Sequence, residues 1–133
     1  DPLKWSATLV ARGGRPPEGA AGFRRWIVPH YLFKARYTTA GIQGVLAEGG
    51  SKRHAAVEAL VKSVGGKLEA EFWAFGDDDY IAIAEMPDNV AAATMASTVS
   101  ASGAVGVSTT VLLTAADIDE VAKRKATYRP PGR

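Results

Sequence analysis

The sequence of 133 residues lacks cysteine and has only two histidines. It also lacks an apolar run long enough to span a membrane. Without cysteine the chain has no disulfide framework, no thiolate metal site and no cysteine nucleophile, which fits a reducing compartment. A membrane-spanning helix needs roughly 20 predominantly apolar residues, and the first residues also lack the apolar segment of a signal peptide. We therefore expect a cytoplasmic protein with no membrane partner.

An excess of charge of one sign is also missing. The 16 Lys and Arg residues nearly balance the 14 Asp and Glu residues, and the formal net charge is +2. A nucleic-acid-binding domain carries a basic patch or stripe, whereas the basic residues here are scattered or terminal, so we expect no DNA or RNA partner. With only His30 and His54, the chain has too few parts for a metal triad or a Ser-His-Asp relay. We expect no metal site and no cofactor.

Composition divides the chain near residue 30. Residues 1–29 are rich in Gly, Pro and Arg and have no sustained hydrophobic period. This predicts a basic extension, which we interpret as disordered or non-native in preference to an arm that docks on a partner. Residues 30–126 carry regular hydrophobic patterns and are long enough for one folded domain with a single core. Residues 127–133 form a Pro-rich tail.

Four segments have the pattern of β-strands. Alternation predicts strands over "YLFKARYT" and "KLEAEFWAF", the apolar run "DYIAIAEM" predicts a third, and the β-branched "VGVSTTVLL" predicts a fourth. The third segment is apolar on both faces, which is typical of a central strand. In the second segment, alternation groups Leu68, Ala70, Phe72 and Ala74 on one side and Glu69, Glu71 and Trp73 on the other.

Helical spacing predicts the remaining elements. The longest helix covers "SKRHAAVEALVKSVGG", with Ser51 as N-cap and Gly65-Gly66 as the stop, after a shorter helical stretch that Gly49-Gly50 interrupts. Asp88 is the expected N-cap of a second helix. Thr114 with Asp117 resembles a capping box at the start of a short last helix.

The order of these elements predicts an α+β fold. Strand, helix, strand, strand, helix and strand follow one another, and a C-terminal helix is appended. This is the ferredoxin-like βαββαβ sandwich, in which a four-stranded antiparallel sheet carries two helices on one face.

Six segments between His30 and Gly132 point to a known family: "YLFKARYT", "GGSKRHAAVE", "GGKLEAEFWAFGDDDY", "PDN", "SASGAVGVSTTVLLT" and "YRPPG". Together they resemble the GYD-domain family of small bacterial and archaeal proteins. The chain departs from the family's Gly-Tyr-Asp signature, because Gly76-Asp77-Asp78 stands there and Asp79-Tyr80 follows. The resemblance implies a fold related to the dimeric α/β barrel proteins and attaches no firm activity.

The three adjacent aspartates, Asp77 to Asp79, have two interpretations. Carboxylates are ligands for hard cations such as Mg²⁺ and Ca²⁺. Consecutive residues of an extended chain point to opposite faces, however, so the three side chains do not converge easily. Because Gly and Asp are common in hairpin turns, we favour a turn between the second and third strands.

The segment "EGGSKRH", residues 48–54, is a candidate anion site. Free backbone N–H groups and the helix dipole attract anions at a helix N-terminus, and basic side chains follow directly. The predicted ligand-binding residues are Gly49, Gly50, Ser51, Lys52, Arg53 and His54. The alternative is a glycine break between two helices with solvated charges or an intersubunit salt bridge.

Aromatic residues at strand spacing suggest a second candidate site. A pocket lined by Phe33, Tyr37, Phe72, Trp73 and Tyr80 would suit a small aromatic molecule, and we count Trp73 and Tyr80 among the ligand-binding residues. The alternative is that these side chains are simply core. The sheet face away from the helices is expected to meet a second copy of the chain, which predicts a homodimer or higher oligomer.

Three functions remain open on these patterns. The first is an oligomeric ligand-binding or regulatory module for a small anionic or aromatic ligand. The second is a cofactor-independent dimeric α/β barrel enzyme, of monooxygenase or isomerase type, acting on a small hydrophobic or aromatic molecule. Its candidate catalytic residues are His54, Tyr37 and Asp79. The third is an interaction or assembly protein without a small ligand.

Overall fold

The structure is a computed structural model that describes residues 28–133. The elements in chain order are β1 (His30–Tyr37), α1 (Thr39–Glu48), α2 (Gly50–Ser63), β2 (Lys67–Trp73), β3 (Tyr80–Glu85), α3 (Asn89–Ala101), β4 (Val105–Leu112) and α4 (Ala115–Lys123). The predicted extension lies outside the described residues up to residue 27. None of the helices described is both long and apolar enough to cross a membrane.

The four strands form one antiparallel sheet in the order β2-β3-β1-β4. The predicted α+β class with a four-stranded antiparallel sheet is confirmed. The third strand is central, as its apolar pattern indicated. The first connection contains two helices, α1 and α2, because Gly49 interrupts the helical segment.

The core lies on one face of the sheet, beneath α2 and α3. Tyr31 and Phe33 of β1 belong to a buried cluster that also contains Val61 of α2 and Met95 of α3. The Tyr31 hydroxyl donates to Asn89 Oδ1 at 2.5 Å and so ties the start of α3 to the central strand. Full burial of a large apolar side chain is worth about 1.5–3 kcal/mol, so these contacts hold both helices on the same face.

Short polar residues and one glycine set the helix ends. Gly49, with φ 85°, is both the C-cap of α1 and the N-cap of α2. The predicted N-cap at Ser51 is therefore wrong, since the positive φ of Gly49 starts the helix earlier and leaves Ser51 in its first turn. The predicted cap at Asp88 is confirmed, and so is the capping box of Thr114 and Asp117.

A β-bulge between Leu68 and Ala70 interrupts β2. Leu68 lies on the helix-covered face, and after the bulge Glu71 and Trp73 lie on that face, opposite residues of β3 that are buried there. Phe72 lies on the opposite, open face and is 69% exposed. The predicted grouping of Leu68 with Ala70 and Phe72 is wrong, because one extra residue shifts the alternation to the other face.

The three aspartates lie in the loop between β2 and β3, which confirms the turn interpretation. The backbone N–H of Asp79 donates to the Ala35 carbonyl at 2.8 Å, and its carboxylate accepts from the Tyr37 N–H at 2.9 Å. Asp78 lies 3.8 Å from the Lys34 ammonium. The loop is thus fastened to β1, and the carboxylates of Asp78 and Asp79 have separate protein partners.

Two glycines of α1 give a test of the packing of this helix. A Cβ atom at Gly41 would lie 2.0 Å from the Ala104 carbonyl oxygen, whereas a Cβ atom at Gly44 would meet nothing within 4 Å. We expect Gly41→Ala to lower the free energy of unfolding by about 1–3 kcal/mol through overpacking. Gly44→Ala should raise it by about 0.5–1 kcal/mol. Urea unfolding of both variants checks this, and equal effects would contradict the close approach at Gly41.

Candidate functional site

A cavity of about 90 Å³ lies between the sheet and helices α2 and α3. Most of its lining is aliphatic, and only three of the lining side chains are polar: Tyr37, Arg53 and Tyr80. Tyr37 ends β1 and Tyr80 begins the neighbouring β3, so the polar groups gather at one end of the cavity. Apolar walls with a few convergent polar groups are typical of small-molecule sites.

Helical spacing on α2 supplies one wall of the cavity. The lining residues of this helix are Arg53, Ala56, Val57, Leu60 and Val61. Their spacing of three and four residues places them on one face of the helix. The face turned to the cavity is therefore apolar except for Arg53 in the first turns.

Glu71 of β2 connects α2 to the sheet at the polar end of the cavity. Its Oε1 lies 2.6 Å from His54 Nδ1, and its Oε2 accepts from the Tyr80 hydroxyl at 2.6 Å. The Glu71 side chain is 7% exposed, whereas the His54 side chain is 49% exposed. A buried carboxylate is costly unless it is hydrogen-bonded, and these two partners satisfy both oxygens.

Trp73 holds the two tyrosines of the site together. Its Nε1 donates to the Tyr37 hydroxyl at 3.1 Å. Its ring meets the Tyr80 ring edge to face, with centroids 5.2 Å apart. Such aromatic pairs contribute about 0.5–1.5 kcal/mol beyond the area that they bury, so the phenols have fixed positions at the cavity.

The surroundings keep these tyrosines protonated. Burial raises the pKa of Tyr37 and of Tyr80, and the hydrogen bond to Glu71 raises the pKa of Tyr80 further. Both phenols therefore keep their protons near neutral pH: Tyr80 donates to Glu71, and Tyr37 can donate to a ligand. The hydrogen bond to Glu71 also raises the pKa of His54, because it stabilises the imidazolium.

The structure brings some of the predicted site residues together. Tyr37, Arg53 and Tyr80 line the cavity, Trp73 contacts both tyrosines, and His54 contacts Glu71. The other predicted positions lie outside the lining: Gly49, Gly50, Ser51, Lys52, Phe72 and Asp79. Of these, Gly49 to Lys52 are exposed at the start of α2.

Glu71 is the residue that the sequence did not identify. Alternation grouped it with Trp73, which was correct, but indicated no buried partner for it. The sequence did contain one indication: alternation places Glu71 on the same side of β2 as Trp73, which was predicted to line the pocket. Its contacts with His54 and Tyr80 depend on the bulge, and the bulge has no signature in "KLEAEF".

A second group of ligating side chains lies on the open face of the sheet. His30, Glu69 and Glu85 each offer one donor atom, and these atoms all lie within 4.8 Å of one another. Burial, followed by the nearby Glu69 carboxylate, raises the pKa of Glu85. Of the side chains in residues 28–133, these three form the arrangement best suited to a metal ion.

Comparisons with known proteins identify a family relationship. The family model of the GYD domain matches residues 31–122. No curated protein matches the chain. Among solved structures, the transcriptional regulator NMB0573 of Neisseria meningitidis in complex with L-Met is 12% identical, with a TM-score of 0.44 over 97% of this chain and 72% of that chain. MtbAldR is 12% identical, with a TM-score of 0.46 over 96% of this chain and 74% of that chain.

The contact between His54 and Glu71 predicts a pH dependence. The pKa of His54 is raised above its ordinary value of 6.5, so the stabilisation from this contact is complete below pH 6.5 and is lost as the pH rises through the folded-state pKa. An NMR titration of the His54 ring should show this raised pKa, and Glu71→Gln should return it towards 6.5. Glu58→Gln is the matched control, because Glu58 makes a smaller contribution. An unchanged pKa in Glu71→Gln would contradict the assigned cause.

Proposed function

The chain belongs to the GYD domain family, and we propose that it works as a ligand-binding or regulatory module that takes an amphipathic small molecule into the cavity described above. The observation that carries this proposal is the distribution of polar groups in the cavity. They gather at one end of an otherwise apolar space, which suits a ligand with an apolar body and one polar or anionic group.

The apolar body of the ligand would lie against the central strands. Ala35, Ala82 and Ala84 line the cavity from the sheet, and Leu60 and Val99 line it from the helices. These side chains offer no hydrogen bonds, so affinity there comes from burial of apolar surface at about 25 cal/mol per Å². Specificity would come from the polar end.

Arg53 is the group that would hold an anion. Its guanidinium lies 3.6 Å from a carboxylate oxygen of Glu48, in an ion pair that is exposed to solvent. Pairs of this kind contribute about 0–1 kcal/mol, so a ligand carboxylate or phosphate can compete for Arg53 at little cost. The guanidinium can donate two parallel hydrogen bonds to such a group. This narrows the predicted anion site at residues 49–54 to one side chain in the cavity wall.

One observation favours a cofactor-independent enzyme as the second candidate function. Two protonated phenols line the cavity; Tyr80 donates a hydrogen bond to Glu71, and the Tyr37 hydroxyl can donate to a bound molecule. Hydrogen-bond donors placed in an apolar cavity can stabilise a developing oxyanion. Of the candidate catalytic residues, Tyr37 is the one that lines the cavity, whereas the Asp79 carboxylate accepts from the Tyr37 backbone.

We also propose that a second copy of the chain covers the open face of the sheet. Phe72 is exposed on this face, beside the half-buried Ile81 and Ile83 of β3. Exposed apolar patches of this kind often mark protein interfaces. Lys34 of β1 lies on this face with the Asp78 carboxylate 3.8 Å from its ammonium, so a two-fold contact can pair opposite charges.

Ligand binding can be tested with 3-phenylpropionate as the probe. We expect saturable binding that Arg53→Gln weakens about tenfold, which corresponds to about 1.4 kcal/mol. Lys52→Gln is the matched control, because Lys52 is the neighbouring basic residue but lies outside the cavity lining. Isothermal titration calorimetry measures both variants.

The uncharged analogue 3-phenylpropan-1-ol distinguishes binding of the apolar body in the cavity from binding of the anionic group by Arg53. Its affinity should be insensitive to Arg53→Gln. Ala96→Phe, which extends a cavity-lining side chain of α3, should weaken both compounds. Binding that survives Ala96→Phe would place the compounds elsewhere and overturn the assignment of the cavity.

The proposed dimer makes a separate prediction. Phe72→Glu should convert the dimer to a monomer, because it places a charge in the apolar part of the interface. Phe75→Glu is the matched control, since Phe75 is 103% exposed in the loop that follows β2. Sedimentation velocity measures the mass of each. A monomeric wild-type chain, or a dimer that persists in Phe72→Glu, would contradict this interface.

A further inference from the structure

Three strands bring one histidine and two carboxylates together on the open face of the sheet. His30 begins β1, Glu85 ends β3 directly opposite it, and Glu69 comes from the bulge of β2. His30 Nδ1 lies 3.0 Å from Glu69 Oε1, and the three donor atoms lie within 4.8 Å of one another. The side chains of His30 and Glu69 are 22% and 29% exposed, so the group is partly sheltered but open to an incoming ion.

This spacing is close to that of a metal site. With bonds of about 2.0–2.2 Å, the ligands of a tetrahedral ion lie roughly 3.3–3.6 Å from one another. Side-chain rotations that move each donor atom by about an ångström or less would bring the three atoms to that spacing. His30 and Glu85 lie on β1 and β3, which pair as regular antiparallel strands, so two of the three ligands are held by rigid elements.

The electrostatics of the group also favour a cation. Two carboxylates that lie together repel each other when both are charged. The positive charge of Lys67, which lies opposite Glu85 in the sheet, offsets part of this repulsion. Lys67 is exposed and its long side chain can turn to solvent, so it does not close the site. A divalent ion would neutralise both carboxylates at once.

We propose that His30, Glu69 and Glu85 bind a divalent first-row transition metal, with Zn²⁺ as the reference ion. One imidazole and two carboxylates are a ligand set that suits Zn²⁺. Three protein ligands leave at least one coordination position for water or a ligand group. This departs from the expectation of no metal site, which rested on the absence of cysteine, the number of histidines and the divergent side chains of the three adjacent aspartates.

The metal site is distinct from the ligand cavity. The cavity lies on the helix-covered face, whereas His30, Glu69 and Glu85 lie on the open face. Leu68 and Ala84 line the cavity directly before Glu69 and Glu85 in the chain, and the alternation of the strands turns these neighbours to opposite faces. Failure of one proposal therefore leaves the other standing.

The test is a calorimetric titration of Zn²⁺ into the full chain, prepared without a histidine tag. We expect one ion per chain, with an affinity that falls at least tenfold in His30→Gln and in Glu69→Gln. His54→Gln is the matched control, because His54 also contacts a glutamate but belongs to no such group. It should bind Zn²⁺ as the wild-type chain does. Lys67→Gln should bind several times more tightly, since it removes a competing positive charge.

Three results would overturn the proposal. They are the absence of saturable binding by the wild-type chain, an unchanged affinity in His30→Gln, and loss of binding in His54→Gln. Paramagnetic Co²⁺ gives an independent readout on the wild-type chain if a variant fails to fold. The NMR signals of the His30 ring should shift and broaden while those of His54 stay in place, and the reverse pattern would also overturn it.

Discussion

The β-bulge in β2 is the constraint on which both proposed sites depend. In a regular strand Glu69 and Glu71 would share one face, because they are two residues apart. The bulge instead turns Glu69 to the open face, where it meets His30, and Glu71 to the helix-covered face, where it meets His54 and Tyr80. Bulges are frequent beside functional sites because they redirect side chains in this way. Here a single extra residue distributes two carboxylates between two faces.

The cavity has an equally simple cause in the sizes of neighbouring side chains. The central strands carry alanine beneath the helices, at Ala35, Ala82 and Ala84, and larger rings at Tyr37 and Tyr80. Alanine leaves space between the sheet and the helices, whereas the rings and Trp73 close one end with polar atoms. The contact of His54 with Glu71 then fixes the start of α2 over that end. Solvent screens this contact on the His54 side, which is half exposed, whereas the Glu71 side chain is buried.

Most of the fold was predictable because its signals are local. The alternation of β1, the caps at Asp88 and Thr114, and the helix break at Gly49 each depend on residues close in sequence. The bulge was not predictable, since it depends on how β2 pairs with β3 and leaves no glycine or turn signature. The same reason hid the contacts of Glu71 and the grouping of His30 with Glu69, which are 39 residues apart. Tyr37, Arg53 and Tyr80 were predicted as site residues from their chemistry, but their convergence on one cavity required the register of the sheet.

The bulged segment of β2 contributes side chains to both faces of the sheet. Glu69 and Glu71 are separated by one residue at the bulge, so a displacement of this segment moves both carboxylates. The open face carries the exposed Phe72 immediately after Glu71 and next to Ile81 of β3. A partner bound to the open face would contact the strand that positions Glu71 on the helix-covered face. Sites that bias the same element are linked reciprocally in their binding free energies. The bulge is therefore the element that the proposed interface and the cavity have in common.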